Sequence, residues 1–168
     1  MKETTKIPIF PLDGAIFFPE TNLPLNIFED RYISMVDYAL SKDRLIGMIQ
    51  NKNSSELYKI GCVGKISSFN ETDDGRYIIT LLGVDYFEIK KEVKELHKFR
   101  IVEAKFNRTN LANISLSKEI KKNLIEKYKK FLENNNLKFE IEVLEKINST
   151  ELIKFIAMTS PFSKEDKQ

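Results

Sequence analysis

IPIFPLDGAIFFPETNLPLNIFEDRYISMVDYAL, residues 7–40, changes its period partway along. Its first part is broken by Pro8, Pro11, Pro19 and Pro24, with a turn signal at Asp13-Gly14. Residues 5–12 read as a strand. Its prolines cannot donate to a ladder, which places it at a sheet edge or beside bulges. Residues 23–28 read as a second short strand. Then Tyr32, Met35, Val36, Ala39 and Leu40 fall on one helical face, predicting a helix from about Glu29 to Leu40. Glu29 and Asp30 sit in its first turn, where the helix dipole favours acids. Because i and i+2 do not face each other on a helix, Glu29 and Arg31 are expected to find separate partners. Those are the free N–H groups of the helix start for Glu29 and an acceptor elsewhere for Arg31.

Outward from this stretch the pattern is that of a β-rich unit. LIGMIQN (45–51), CVGKISSF (62–69), RYIITLLGV (76–84), YFEIKKEV (86–93) and FRIVEAKF (99–106) read as strands. RYIITLLGV is apolar on both faces, so a central strand is expected. Asp74-Gly75 predicts a type I′ hairpin turn, with φ > 0 at both residues. Gly83 beside Asp85 predicts a bulge or corner. Beyond residue 108 the period becomes helical. Leu116, Ile120, Leu124, Tyr128 and Phe131 predict a long amphipathic helix ending at 134–136. Asn148-x-x-Glu151 predicts a capping box opening a short helix through Met158. The expected domains are therefore a β-rich unit, 1–108, and a helical unit, 109–168. A further cap, Ser163-x-x-Asp166, has too few residues behind it for a helix, implying that the natural chain continues.

Composition restricts what such a chain does. In 168 residues, 42% are hydrophobic and 31% charged, as in a globular domain. Lys and Arg total 27 against 25 acids, so a net charge of +2 supplies little field for a polyanion and argues against nucleic acid. One cysteine, Cys62, excludes an internal disulfide and fits a cytoplasmic protein. The start, MKETTKIPIF, has no apolar leader segment and no window approaches a membrane span.

Chemistry-bearing motifs are absent from the pattern. The nearest approach to a phosphate loop, Gly61-x-x-Gly64-Lys65, lacks the spacing and the Ser/Thr. One His and one Cys build no zinc cage, and no calcium loop is recognisable. His97 lacks an identifiable nucleophile and orienting partner, and reads as a surface residue. Cys62 reads as a small core residue. No catalytic, metal-binding or cofactor-binding residue is assigned, and no cofactor is expected.

These same residues resemble the opening signature of the Lon protease N-terminal domain family, also called the Lon substrate-binding domain. Ile7–Leu12, Phe18-Pro19, Leu23-Pro24-Leu25 and Phe28-Glu29-Asp30-Arg31-Tyr32 match it in order. Gly61-x-x-Gly64, Asp74-Gly75-Arg76-Tyr77 and Gly83-Val84-Asp85-Tyr86-Phe87 match later positions. Two departures stand out: Tyr86 replaces a usual Arg, and Glu20 a common Gly.

The resemblance implies an α+β fold: a PUA-like six-stranded antiparallel pseudo-barrel with an inserted helix, followed by a helical subdomain, 109–168, expected to be truncated at its C-terminus. It further implies a stand-alone bacterial recognition module without the ATPase and protease parts, not an enzyme. Its partners would be unfolded or flexible polypeptides, with a protease or chaperone as associate. The apolar run Ile16-Phe17-Phe18-Pro19 is the candidate polypeptide-binding segment, while Phe28, Glu29, Arg31, Tyr32, Gly75 and Gly83 are assigned structural roles. RNA binding is the alternative the architecture raises, and an enzyme with a cleft of perturbed carboxylates is a third class.

Overall fold

The structure is a computed structural model that describes residues 4–107 and 115–168. The domain boundary expected at 108/109 lies outside the described residues. The strands are β1 (Thr5–Pro11), β2 (Asn22–Ile27), β3 (Leu45–Ile49), β4 (Ile60–Glu71), β5 (Tyr77–Val93) and β6 (Arg100–Asn107). The helices are α1 (Asp30–Leu40), α2 (Lys118–Asn134), α3 (Ile141–Lys146), α4 (Ser149–Thr159) and α5 (Lys164–Lys167). Residues 163–168 group with the sheet, and the other helices after β6 form a second compact unit.

The six strands form one sheet in the order β2-β5-β4-β3-β1-β6, and β6 also pairs with β5. The sheet thus returns on itself, without being a regular barrel, and α1 is the inserted helix. The pairing is not wholly antiparallel, because β1 and β3 run parallel. The chain between them passes through β2 and α1, the kind of crossover that parallel neighbours require.

β1 is not an edge strand, contrary to the reading of its prolines. It lies between β3 and β6. Pro8 lies inside the run paired with β6, opposite Ile101, but outside the run paired with β3, which starts at Ile9, and Pro11 closes the strand. β5 is central, with β2 and β4 on its two sides, yet it is not buried on both faces. Ile79 and Leu81 point into the core, whereas Ile78, Leu82 and Val84 remain exposed. Strand alternation, not the apolar run, decides this.

The β4–β5 connection also differs from expectation. Only Gly75 has positive φ, at 78°. Gly75 N–H donates to Thr72 O and Thr72 N–H to Arg76 O, each at 2.9 Å. This is a three-residue loop with an αL glycine rather than a two-residue type I′ turn. The expected irregularity near Gly83 is present: Gly64 pairs with Gly83 and Val63 with Asp85, leaving Val84 as the extra residue.

α1 buries Tyr32, Met35, Val36 and Ala39, the face its spacing predicted. They join Phe10, Phe17, Ile27, Ile46, Leu81 and Ile101 in the main core. Tyr32 packs on Phe10, ring centroids 4.2 Å apart. Each such burial contributes about 1.5–3 kcal/mol. A second cluster, around Ile7, Ile9, Val63 and Phe87, fills the other side of the strands.

In the helical unit, the capping box at α4 forms as read. Glu151 N–H donates to Asn148 Oδ1 at 2.9 Å, and Asn148 N–H to Glu151 Oε2 at 3.2 Å. The buried stripe of α2 is Ile125, Tyr128 and Leu132, whereas Ile120 is exposed. Of the expected stripe, Tyr128 is buried and Leu124 and Phe131 pack half-buried against the same cluster, while Ile120 departs because the successive four-residue steps before Tyr128 each overshoot a turn by about 40°. Steps of three and four correct that overshoot. Among the described residues no helix is long and apolar enough to cross a membrane.

Candidate functional site

The loop between β1 and β2 is pinned at both ends. Leu12 N–H donates to Ile49 O at 2.9 Å, and Asn51 Nδ2 donates to Asp13 Oδ1 at 2.9 Å. At the other end Glu20 N–H donates to Gly83 O and Gly83 N–H to Thr21 O, both at 2.9 Å. Gly83 is required for this approach: a Cβ there would stand 2.0 Å from Phe18 O. The turn also holds Glu20 at φ 64°, the left-handed region that suits the glycine this position commonly carries in the resembling family.

So fixed, the loop apportions its apolar residues unequally. Phe17 turns inward, 6% exposed, and its ring fills the space left by Gly64, where a Cβ would lie 2.7 Å away. Pro19 is buried against Gly83. Ile16 and Phe18 are half-buried and, with one edge of Phe17, wall a cavity of about 220 Å³. Its other lining includes Met48, Ile49, Gln50, Ile60, Cys62 and Tyr86, with Lys167 and Gln168 at the rim. Met48, Cys62 and Tyr86 are register partners across β3, β4 and β5, and therefore share one face.

The structure thus brings Ile16, Phe17 and Phe18 together and leaves Pro19 out of the lining. The motif residues lie elsewhere. Tyr32 is core, whereas Phe28 is 64% exposed. Glu29 and Arg31 do pair, at 2.8 Å, against the expectation of separate partners. Glu29 is the N-cap, with extended backbone (φ −82°, ψ 131°), so the helical spacing rule does not apply to it. Its side chain caps no helix N–H. The Arg31 guanidinium lies 4.5 Å from the Tyr32 ring centre.

Several lining residues were beyond sequence reasoning. Gln50 meets residues more than a hundred positions away: its Nε2 donates to Lys164 O at 3.3 Å and lies 3.5 Å from Gln168 Oε1. A glutamine directly after the apolar run LIGMI was the one available signal. Tyr86 had been marked only as a departure from a family pattern.

Apart from Lys167, the lining side chains are uncharged. Burial, and secondarily neighbouring Cys62, pushes the Tyr86 phenol up to about 12, so it stays protonated. No carboxylate stands among the described lining residues. His97 lies outside it, stacked on Phe99 with centroids 4.9 Å apart. Among the described residues no group of His, Cys, Asp and Glu side chains is placed to hold a metal ion. Apolar walls with a few amide and hydroxyl groups suit binding of an uncharged group.

Comparison with known proteins bears on the family and the fold. The family model described as the ATP-dependent protease La (LON) substrate-binding domain matches residues 6–168. Lon protease 2 of Bdellovibrio bacteriovorus is 29% identical over 110 residues, 61% of this chain and 14% of the relative. Lon protease of Desulfatibacillum aliphaticivorans is 24% identical over 134 residues, 75% of this chain and 16% of the relative. The chain therefore spans only a small part of the length of the curated relatives it matches. Among solved structures, the fold resembles a Lon N-terminal domain protein from Xanthomonas campestris, with TM-score 0.70 and 18% identity over 97% of this chain and 87% of that one. It also resembles the N-terminal domain of Mycobacterium avium complex Lon protease, with TM-score 0.66 and 16% identity over the same shares.

Proposed function

The chain belongs to the ATP-dependent protease La (Lon) substrate-binding domain family, and from that membership we propose that it is a cytoplasmic polypeptide-recognition module that binds unfolded or flexible clients without catalysing a reaction. The observation that carries this reading is the apolar-walled cavity beneath Ile16 and Phe18, which has no acidic side chain in its lining. A site that must accept many sequences offers shape and apolar area rather than charge, and binds at micromolar rather than nanomolar strength. The handover of clients to a protease or chaperone is part of the same proposal.

The test is calorimetric titration of a reduced, carboxymethylated, permanently unfolded protein into the wild type and into Ile16→Ser with Phe18→Ser. Both side chains are half-buried, so the double variant should keep its circular dichroism spectrum while affinity falls about tenfold. Unchanged affinity in a folded double variant would remove the cavity from the recognition surface. Salt-dependent binding of RNA, with none of the unfolded protein, would replace the reading altogether.

A further inference from the structure

The cavity has one polar feature that its walls do not explain. Gln50 is 4% exposed, and its Oε1 has no hydrogen-bond partner among the described residues. A buried carbonyl oxygen without a donor is costly, and native structures supply one. Exchanging the amide's oxygen and nitrogen does not solve it. The nitrogen position faces two acceptors, Lys164 O and Gln168 Oε1. Gln168 is itself oriented by its Nε2, which donates to Ile60 O at 3.2 Å. The vacant partner is therefore a donor.

The lining limits what that donor is. The one charged lining side chain is Lys167, whose ammonium donates to Gly14 O at 2.8 Å. With no carboxylate beside it, the cavity does not favour a cation. Its volume, about 220 Å³, exceeds the roughly 150 Å³ apolar cavity that accepts benzene. It has room for one large apolar side chain.

Residues 164–168 show which kind of group this rim accepts. They present it with a main-chain carbonyl and a side-chain carboxamide. This helical turn buries no residue of its own and is held by polar contacts. It satisfies the amide nitrogen of Gln50 and leaves the apolar space unused, while the Gln50 oxygen is sealed from solvent, so a partner reaches it only where this turn gives way.

We propose that the cavity seats one uncharged apolar side chain of an extended polypeptide, whose main-chain N–H donates to Gln50 Oε1, and that residues 164–168 compete for the same rim. This rests on the polypeptide-recognition reading and adds to it the class of residue recognised, the atom that reads the backbone, and an internal competitor.

The test is a two-by-two cycle read by fluorescence anisotropy. The probes are a fluorescein-labelled Ser-Gly-Ser-Leu-Ser-Gly-Ser peptide and the same peptide N-methylated at leucine, which removes the donor. The proteins are the full chain and its Gln50→Met variant, which keeps the volume. Wild type should bind the methylated peptide about tenfold more weakly, and Gln50→Met should bind both alike. An equal penalty in both proteins would overturn the Gln50 contact. Lys167→Ala combined with Gln168→Ala should raise affinity for the unmethylated peptide severalfold, and no change would overturn the competition. If the unfolded protein binds but the cycle is flat, this inference fails alone. If neither the unfolded protein nor either peptide binds, the recognition reading fails with it.

Discussion

Phe17 and Phe28 occupy similar places in the sequence, each following an isoleucine beside a short extended segment, yet Phe17 is 6% exposed and Phe28 is 64% exposed. Alternation accounts for part of this. Ile27 points into the core, so its successor points out. Phe17 points in, so its neighbours Ile16 and Phe18 are the ones left over. What the leftover residues face makes the difference: Phe28 meets solvent, whereas Ile16 and Phe18 meet a cavity. Glycines at 64 and 83 create that situation by giving Phe17 a place to sit and letting the loop close against β5. The helix-start segment relies on its own neighbours; the loop relies on residues far along the chain.

That contrast makes graded predictions. Phe17→Ala should be the most damaging, by about 3–4 kcal/mol in urea denaturation, because it empties a core position. Phe28→Ala should change stability by no more than about 0.5 kcal/mol; a comparable loss at both positions would break the distinction. Next is Gly83→Ala, which sets a methyl group against the Phe18 carbonyl and should cost about 1–3 kcal/mol. Its signature is a loosened loop, seen as faster amide exchange at Glu20, whose N–H is bonded to Gly83 O.

Smaller effects sharpen the other side of the comparison. Glu29 and Arg31 form a local, solvent-exposed pair, so Glu29→Ala should cost less than about 1 kcal/mol. A loss of several kcal/mol would restore a buried role for Glu29. The smallest effect depends on pH. Two 2.7 Å hydrogen bonds from Arg100 hold the Glu92 carboxyl below its ordinary value of 4.5. A carboxylate lowered in the folded state stabilises above its ordinary unfolded value, and that contribution disappears as pH falls through the folded one. The pair is substantially exposed, so the amount should be under about 1 kcal/mol. The difference in urea midpoint between wild type and Glu92→Gln should shrink between pH 6 and 3.

Much of the fold was legible because it rests on short-range signals. The α1 stripe, the α4 capping box and the bulge at Gly83 each depend on residues within a turn or two of one another. The misreadings share a cause. Pro8 and Pro11 looked like edge markers because strand order is not local. RYIITLLGV was read correctly as a central strand, but its apolar second face did not show that Ile78, Leu82 and Val84 stay exposed, because composition does not say what covers that face. The α2 stripe held at Leu124, Tyr128 and Phe131 but lost Ile120, because successive four-residue steps drift. For the site, the sequence pointed to Ile16, Phe17 and Phe18 but not to Gln50, Tyr86 or Gln168, whose meeting depends on the whole topology.

The central claim is that clients enter the cavity rather than settle on the exposed sheet face around Ile78, Leu82 and Val84. Methyl-selective NMR during titration with the reduced, carboxymethylated unfolded protein tests it directly. Shifts are expected at the methyls of Ile16, Met48, Ile49 and Ile60, with Ile78, Leu82 and Val84 unmoved. Saturable shifts confined to Ile78, Leu82 and Val84 would contradict it.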